Sequence, residues 1–213
     1  MIMFKVKCFT LGELGANCYL VSDEESGESF VVDPGDVSPA LNAGIDSIGA
    51  DKLKYILLTH GHFDHIGGAA SLKRRCPSAR IVIGKQDSAF PGNDELNLSW
   101  HFGLDIDPFN CDILVNDGDR LPFCKAEIQV LHTPGHTRGS VCYRLGNTVF
   151  TGDTLITGTT GRTDFPTGSY DDMVKSIARL AAIPEDLTVY CGHGEGSTLD
   201  RERATNYFMR MTK

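Results

Sequence analysis

No apolar run in this sequence approaches the ~20 residues that a membrane-spanning helix requires, so no membrane partner is expected. The opening stretch, MIMFKVKCFTLGELGANCYLV, is interrupted by Lys5, Lys7 and Glu13 and lacks the unbroken apolar segment of a secretory signal. No C-x-x-C pair occurs among Cys8, Cys18, Cys76, Cys111, Cys124, Cys142 and Cys191, and their number is odd. Reduced thiols and a cytoplasmic location are therefore expected. Basic residues are outnumbered, 20 against 28, and the net charge is -8. A nucleic-acid partner would call for a basic face, so none is expected, although a local basic pocket stays open. Tryptophan occurs once, at Trp100, and there is no low-complexity segment, linker or close repeat. With 213 residues, enough for one sizeable core, residues 1–213 are read as a single domain. Nothing in the sequence indicates an oligomeric state.

What is present is a globular composition, 41% hydrophobic and 23% charged, with 23 glycines to punctuate turns. MFKVKCFT and NCYLVSD read as strands, and SFVV as a short one ending in the turn Asp33-Pro34-Gly35. A helix is expected from Ser38, its N-cap, through Ile48, with Pro39 in the first turn. KYILLT is a buried strand, HIGGAASLKRRC has helical spacing, and ARIVIG is the next strand, a β–helix–β order that suggests a parallel pair. Residues 87–117 break this rhythm, with a short helix expected around Leu96 to Leu104, and they read as a packing insertion or a lid over the core. IQVLHTPG, SVCYRLG and TVFTGD are strand-like, with a hairpin turn at Gly146-Asn147. SYDDMVKSIARLAAI carries Met173, Ile177, Leu180 and Ala181 on one side of a helix, LTVYCGHG is a strand, and DRERATNYFMR is a final helix. Strands followed by helices, twice over, predict an α/β fold with sheet on sheet inside and helices outside.

Three of the seven histidines fall within six residues, His60-Gly61-His62-Phe63-Asp64-His65. Crowded imidazoles repel when protonated, and a core has little use for them. In extended chain, residues two apart share a side, so His60 and His62 can face one point. Asp64 and His65 lie where strand becomes helix, and that turn can aim them at a second point nearby. Three further motifs repeat the design: TPGHT presents His136, FTGDT presents Asp153 and YCGHG presents His193, each after a strand and beside glycine. Nitrogen and carboxylate donors delivered by several strand ends suit zinc, iron or manganese. Taken singly, His136 or His193 would read as a structural histidine and Asp153 as a turn residue; the ordered set reads as a metal site. His132 reads as structural, and Cys191 as buried packing.

THGHFDH, PGHT, GDT and GHG together resemble the metallo-β-lactamase-fold hydrolase superfamily along nearly the whole chain. The resemblance implies a four-layer αββα sandwich with two divalent metal ions, zinc first among them, on one rim. It implies one metal on His60, His62 and His136, a second on Asp64, His65 and His193, and Asp153 bridging them. Aspartate at the bridge resembles the glyoxalase II branch, and histidine at position 62 departs from the flavodiiron oxygen reductases. GRTDFPTG, from Gly161 to Gly168, resembles the short glyoxalase II-like hydrolases and also the persulfide dioxygenases. In the latter a single iron would sit on His60, His136 and Asp153.

The branch implies a small-molecule thioester as substrate, S-lactoylglutathione first. A metal brings bound water from pKa 15.7 to about 7, and hydroxide held between two metals would attack the carbonyl. One metal would steady the oxyanion, and Asp64 is a catalytic candidate for holding or accepting a proton. Arg162 is the candidate clamp for a substrate carboxylate, or else the partner of Asp164, itself a candidate for supporting the site from behind. Two departures weaken the expectation of glutathione specificity. The 213 residues leave no room for the C-terminal helical domain of full-length glyoxalase II, and Gly194 and Glu195 replace the tyrosine usual after the last metal histidine.

Overall fold

The computed structural model describes residues 4–211. β1 (Phe4–Leu11) and β2 (Ala16–Asp23) form a hairpin, and β3 (Ser29–Val32) pairs antiparallel with β2. α1 (Pro39–Ile48) begins where expected, with the Ser38 hydroxyl accepting from the Leu41 amide at 3.2 Å. β4 (Leu53–Leu57), β5 (Arg80–Gly84) and β6 (Ile113–Val115) continue the sheet in parallel; the β4–β5 pair is the one the β–helix–β order predicts, whereas β6 is a strand inside the 87–117 stretch.

Between β4 and β5 the expected single helix is two, α2 (Phe63–Ile66) and α3 (Ala69–Arg75). The break has a steric cause. A side chain at Gly68 would meet the backbone of Pro34 and Asp36, while the Gly68 amide donates to the Pro34 carbonyl at 2.8 Å. The chain turns there to pass the loop after β3. In residues 87–117 the expected helix shrinks to one turn, α4 (Ser99–Phe102). Phe90 and Leu98 are buried and Trp100 is exposed, so the stretch is pinned by these two apolar anchors.

The second sheet is built from β7 (Arg120–Phe123), β8 (Ala126–His132), β9 (Val141–Leu145), β10 (Thr148–Gly152), β11 (Thr188–Cys191) and β12 (Ser197–Thr198). Its order is β12-β11-β10-β9-β8-β7, and that of the first sheet is β1-β2-β3-β4-β5-β6. α5 (Tyr170–Ala181) buries Met173, Ile177 and Leu180 as its periodicity predicts. The expected last helix divides into α6 (Leu199–Thr205) and α7 (Tyr207–Met211) at Asn206. The buried Asn206 amide donates to the Thr159 carbonyl at 3.0 Å, and its oxygen accepts from the Phe208 amide at 3.0 Å. These bonds take the place of helix continuation.

Three apolar layers hold the elements together. α1 and α3 cover the outer face of the first sheet through Leu41, Ile45 and Leu72 over Ile56 and Ile81. Tyr19, Phe30, Phe123, Tyr143 and Phe150 fill the space between the sheets. Phe30 there meets Phe123 edge-on at 4.9 Å, an arrangement worth about 1 kcal/mol beyond its buried area. α5, α6 and α7 cover the second sheet through Met173, Ile177, Leu199 and Met209 over Val149 and Val189. The result is the four-layer αββα sandwich. Among the described residues no helix is long and apolar enough to cross a membrane.

Candidate metal centre

Strand ends from both sheets deliver the histidines and aspartates to one rim. His60 follows β4, Asp64 and His65 lie in the first turn of α2, and His136 lies in the loop between β8 and β9. Asp153 directly follows β10, and His193 lies two residues beyond β11. His60, His62 and His136 offer ligand atoms within 4.8 Å of one another, and so do Asp64, His65 and His193. Asp153 lies between the two groups: its Oδ2 is 3.5 Å from His136 Nε2 and 3.6 Å from His193 Nε2, and its Oδ1 is 3.6 Å from His65 Nε2. The structure thus brings all seven of these candidates together. Gly192 is required here because a Cβ would overlap both the Asp153 carboxylate and the His65 ring.

The donor set fits metal ions. Burial of a polar atom without a partner is costly, yet His60 Nε2 and Asp153 Oδ1 are buried without a hydrogen bond. His62 Nδ1 and His136 Nε2 face each other at 2.8 Å, as ring nitrogens aimed at one shared point would. Burial and the neighbouring rings push His60 and His62 well down, keeping both neutral and able to donate a lone pair. Burial opposes charge on His65 too, but Asp64, Asp153 and Asp33 overcome it and raise that ring to about 10. Hydrogen bonding to Asp64 raises His193. Burial would raise Asp64, yet His65 and His193 together bring it far below the usual carboxylate range. The carboxylates therefore demand positive charge in their midst, which a divalent cation supplies as well as a proton does.

Three of the rings that point one nitrogen inward have their other nitrogen held from outside. His65 Nδ1 is 3.0 Å from Asp33 Oδ2, His136 Nδ1 is 2.7 Å from the Arg162 carbonyl, and His60 Nδ1 is 3.1 Å from Thr59 Oγ1. Such outer bonds set ring orientation and tautomer. Asp33 also accepts from the Thr59 amide at 2.8 Å and the Thr59 hydroxyl at 2.6 Å. The sequence offered Asp33 only as a turn residue; its φ of 50° and its place after a strand were compatible with either role.

Asp87 was likewise missed. It is fully buried and accepts from the Gly61 amide at 3.1 Å, the Thr137 hydroxyl at 2.6 Å and the Gly139 amide at 2.8 Å. It thereby ties the His60–His62 loop to the His136 loop. Burial outweighs these bonds and raises Asp87 to about 6. Its neutral form is favoured in the fold, so the cost of ionising it is absent below about pH 4 and complete above about pH 6. Stability is expected to fall by about 3 kcal/mol across that window from this group. Denaturant titrations of wild type and Asp87→Asn at several pH values check this, with the variant lacking that part of the slope.

β2 clamps the last ligand loop. Tyr19 Oη donates to the Cys191 carbonyl at 2.6 Å, and the Asn17 amide donates to the Gly194 carbonyl at 2.8 Å. Cys191 is buried, with its thiol donating to the His193 carbonyl at 3.1 Å, and His132 faces the Arg138 carbonyl at 2.9 Å; neither joins the cluster.

Arg162 is spoken for. Its fork grips Asp164 at 2.7 and 2.6 Å and lies over the Phe165 ring at 3.9 Å, with both charged side chains more than half exposed. The role of holding the His136 ring falls to the Arg162 carbonyl, and the Asp164 carboxylate holds Arg162. An exposed pair of this kind contributes about 0–1 kcal/mol. Arg162→Met is accordingly expected to change KM for a carboxylate-bearing thioester less than about 5-fold. A rise well above that would restore the carboxylate clamp.

A four-layer sandwich with paired histidine–aspartate clusters on one rim defines a class of metal-dependent enzymes. The sequence profile described as the Metallo-beta-lactamase superfamily matches residues 11–193, and the chain belongs to that superfamily. It is 34% identical over 198 residues to hydroxyacylglutathione hydrolase GloC of Haemophilus influenzae, covering 91% of this chain and 92% of that protein. Among solved structures it resembles BLEG-1, a B3 metallo-beta-lactamase, with TM-score 0.86 and 30% identity over 97% of this chain and 99% of that one. It resembles TTHA1623 in a di-iron-bound form, with TM-score 0.84 and 35% identity over 95% and 100% of the two chains. It also resembles ETHE1 from Myxococcus xanthus, with TM-score 0.77 and 26% identity over 98% and 89%.

Proposed function

We propose that the chain is a metal-dependent hydrolase that cleaves a hydroxyacyl thioester, with S-lactoylglutathione the first candidate. The arrangement of Asp153 between His60/His62/His136 and Asp64/His65/His193 carries the reading. These residues would hold two divalent ions, zinc or iron foremost, since nitrogen and carboxylate donors suit both and a similar chain carries two irons. When bound, such ions bring water to a pKa near 7 and polarise a carbonyl.

The residues of the chain do the rest. Asp33, Thr59 and the Arg162 carbonyl fix the rings of His65, His60 and His136. Asp64 stays ionised across the working range, so its carboxylate accepts a hydrogen bond from the attacking water and orients it. A thiolate leaves with little help from an acid, which suits a site where the ionised Asp64 cannot serve as proton donor. The aspartate at position 153, together with the similarity to hydroxyacylglutathione hydrolase GloC, supports thioester over lactam. A small-molecule substrate and a cytoplasmic setting complete the reading.

The test is hydrolysis of S-lactoylglutathione by purified protein whose metal is counted on the same batch. Turnover with about two metals per chain, lost on chelation and regained on adding metal back, is the expected result. A second reading is dioxygenation of glutathione persulfide at a single iron on His60, His136 and Asp153. It draws on the GRTDF stretch and on the likeness to ETHE1. Oxygen uptake with a persulfide, by protein carrying one iron and inert toward thioesters, would establish it instead.

A further inference from the structure

A cavity of about 430 Å³ adjoins the histidine–aspartate cluster through one shared residue, Asp64. That volume suits a small molecule. Its walls come from the β1–β2 hairpin tip, the loop after β3, the outer face of α2 and α3, and the stretch following α4. Leu14, Val37, Phe63, Phe102 and Leu104 line it. Four of these are large apolar side chains left open to water: Leu14 at 45%, Val37 at 56%, Phe102 at 49% and Leu104 at 42%. Apolar side chains exposed singly need no explanation, but a converging set around a concavity marks a binding site.

The polar groups of the same walls are lopsided. Glu13, Asp36, Asp105 and Asp107 supply carboxylates, Asp64 turning its own toward His65 and His193, and Arg74 is the one basic residue among the lining residues. Arg74 is already paired with Asp107 at 2.7 Å. Glutathione brings two carboxylates and one ammonium, and its carboxylates would find repulsion here and no free cation. Arg162, outside these walls, is itself committed to Asp164.

We propose that this cavity binds the non-reacting portion of the substrate, and that this portion is apolar and carries no net negative charge. The proposal rests on the thioesterase reading for the identity of the reacting group. It replaces glutathione as the preferred handle with an uncharged or cationic apolar thiol. Leu14, Phe102 and Leu104 would cover the apolar body, and Asp36 and Asp105 would exclude anions.

Three thioethers with a common benzyl group test it by calorimetry on metal-loaded protein: S-benzylglutathione, N-acetyl-S-benzylcysteamine and S-benzylcysteamine. The uncharged and cationic probes are expected to bind at least about 10-fold tighter than the anionic one. Leu104→Ser is expected to weaken the uncharged probe about 5-fold or more with metal content unchanged, and Asp105→Asn to narrow the discrimination by charge. Binding of S-benzylglutathione as tight as the others, no binding of any probe at millimolar concentration, or indifference to Leu104→Ser would overturn the proposal. Hydrolysis of the lactoyl thioesters of glutathione and N-acetylcysteamine separates the two ideas. If the probes bind as expected and neither thioester turns over, the thioesterase reading fails and the cavity assignment stands. If glutathione gives the higher kcat/KM, the thioesterase reading stands and the cavity assignment falls.

Discussion

Asp153→Ala is expected to lower kcat by about 10³-fold or more and to reduce the metal content of the purified protein in the same step. The reason is position. Among the described residues, Asp153 is the one side chain whose two oxygens face both groups, reaching His136 and His193 from Oδ2 and His65 from Oδ1. Its Oδ1 is also buried with no hydrogen-bond partner of its own. Removing it takes a negative charge from the centre and leaves the two histidine groups without a common donor. The fold should survive, because Asp153 is not part of any apolar layer and β10 ends before it. Activity against a thioester, elemental analysis and a thermal melt on one preparation check all three points. Full activity at normal metal loading would remove Asp153 from the bridge.

Asp33→Ala is expected to weaken metal affinity by about 10–100-fold and to destabilise the fold by about 3 kcal/mol or more. Asp33 touches no group that could meet a substrate. Its carboxylate is fully enclosed and accepts from the Thr59 amide, the Thr59 hydroxyl and the His65 ring. Alanine leaves those donors buried and unpaired, and lets the His65 ring rotate. Asp33→Asn separates the two effects. The amide keeps one acceptor and most of the shape, so stability should return further than metal affinity does. Competition with a chromophoric chelator measures affinity, and denaturant titration measures stability. Wild-type metal affinity in both variants would sink the orienting role.

The convergence of the seven candidate side chains was legible and much of what supports them was not, for a reason that follows from chain distance. His60, His62, Asp64 and His65 lie within six residues, so strand periodicity and one turn are enough to predict convergence. His136, Asp153 and His193 each carry a local sign, glycine after a strand. Asp33 carries no such sign. It reaches His65 only because Val32 pairs with Leu57 in the parallel register of β3 and β4, which sets Asp33 beside Thr59. Asp87 is similar: its partners Gly61 and Thr137 lie 26 and 50 residues away. A buried carboxylate whose donors are backbone amides leaves no pattern in a sequence, since every residue but proline has an amide.

The helix boundaries show the same division. The Ser38 cap and Pro39 located α1, and apolar spacing located α5 because it covers a sheet with one continuous stripe. It joined α2 to α3 and α6 to α7, because the breaks depend on what lies alongside: the backbone of residues 34–36 against Gly68, and the carbonyl of Thr159 against Asn206. Arg162 is a further case. The sequence allowed both a clamp and a pair with Asp164, and only the placed side chains show the fork occupied.

By itself, then, the sequence determined the order of strands and helices, the layered architecture and seven side chains suited to metal. All of these rest on periodicity and on motifs a few residues long. Tertiary structure decided how those side chains are held, that Arg162 and Arg74 are paired, and where a cavity opens. Those matters depend on segments far apart in the chain, brought side by side by strand register and the packing of the two sheets. The acidic, apolar pocket beside Asp64 exists only because residues 12–14, 35–37, 63–74 and 102–107 meet there.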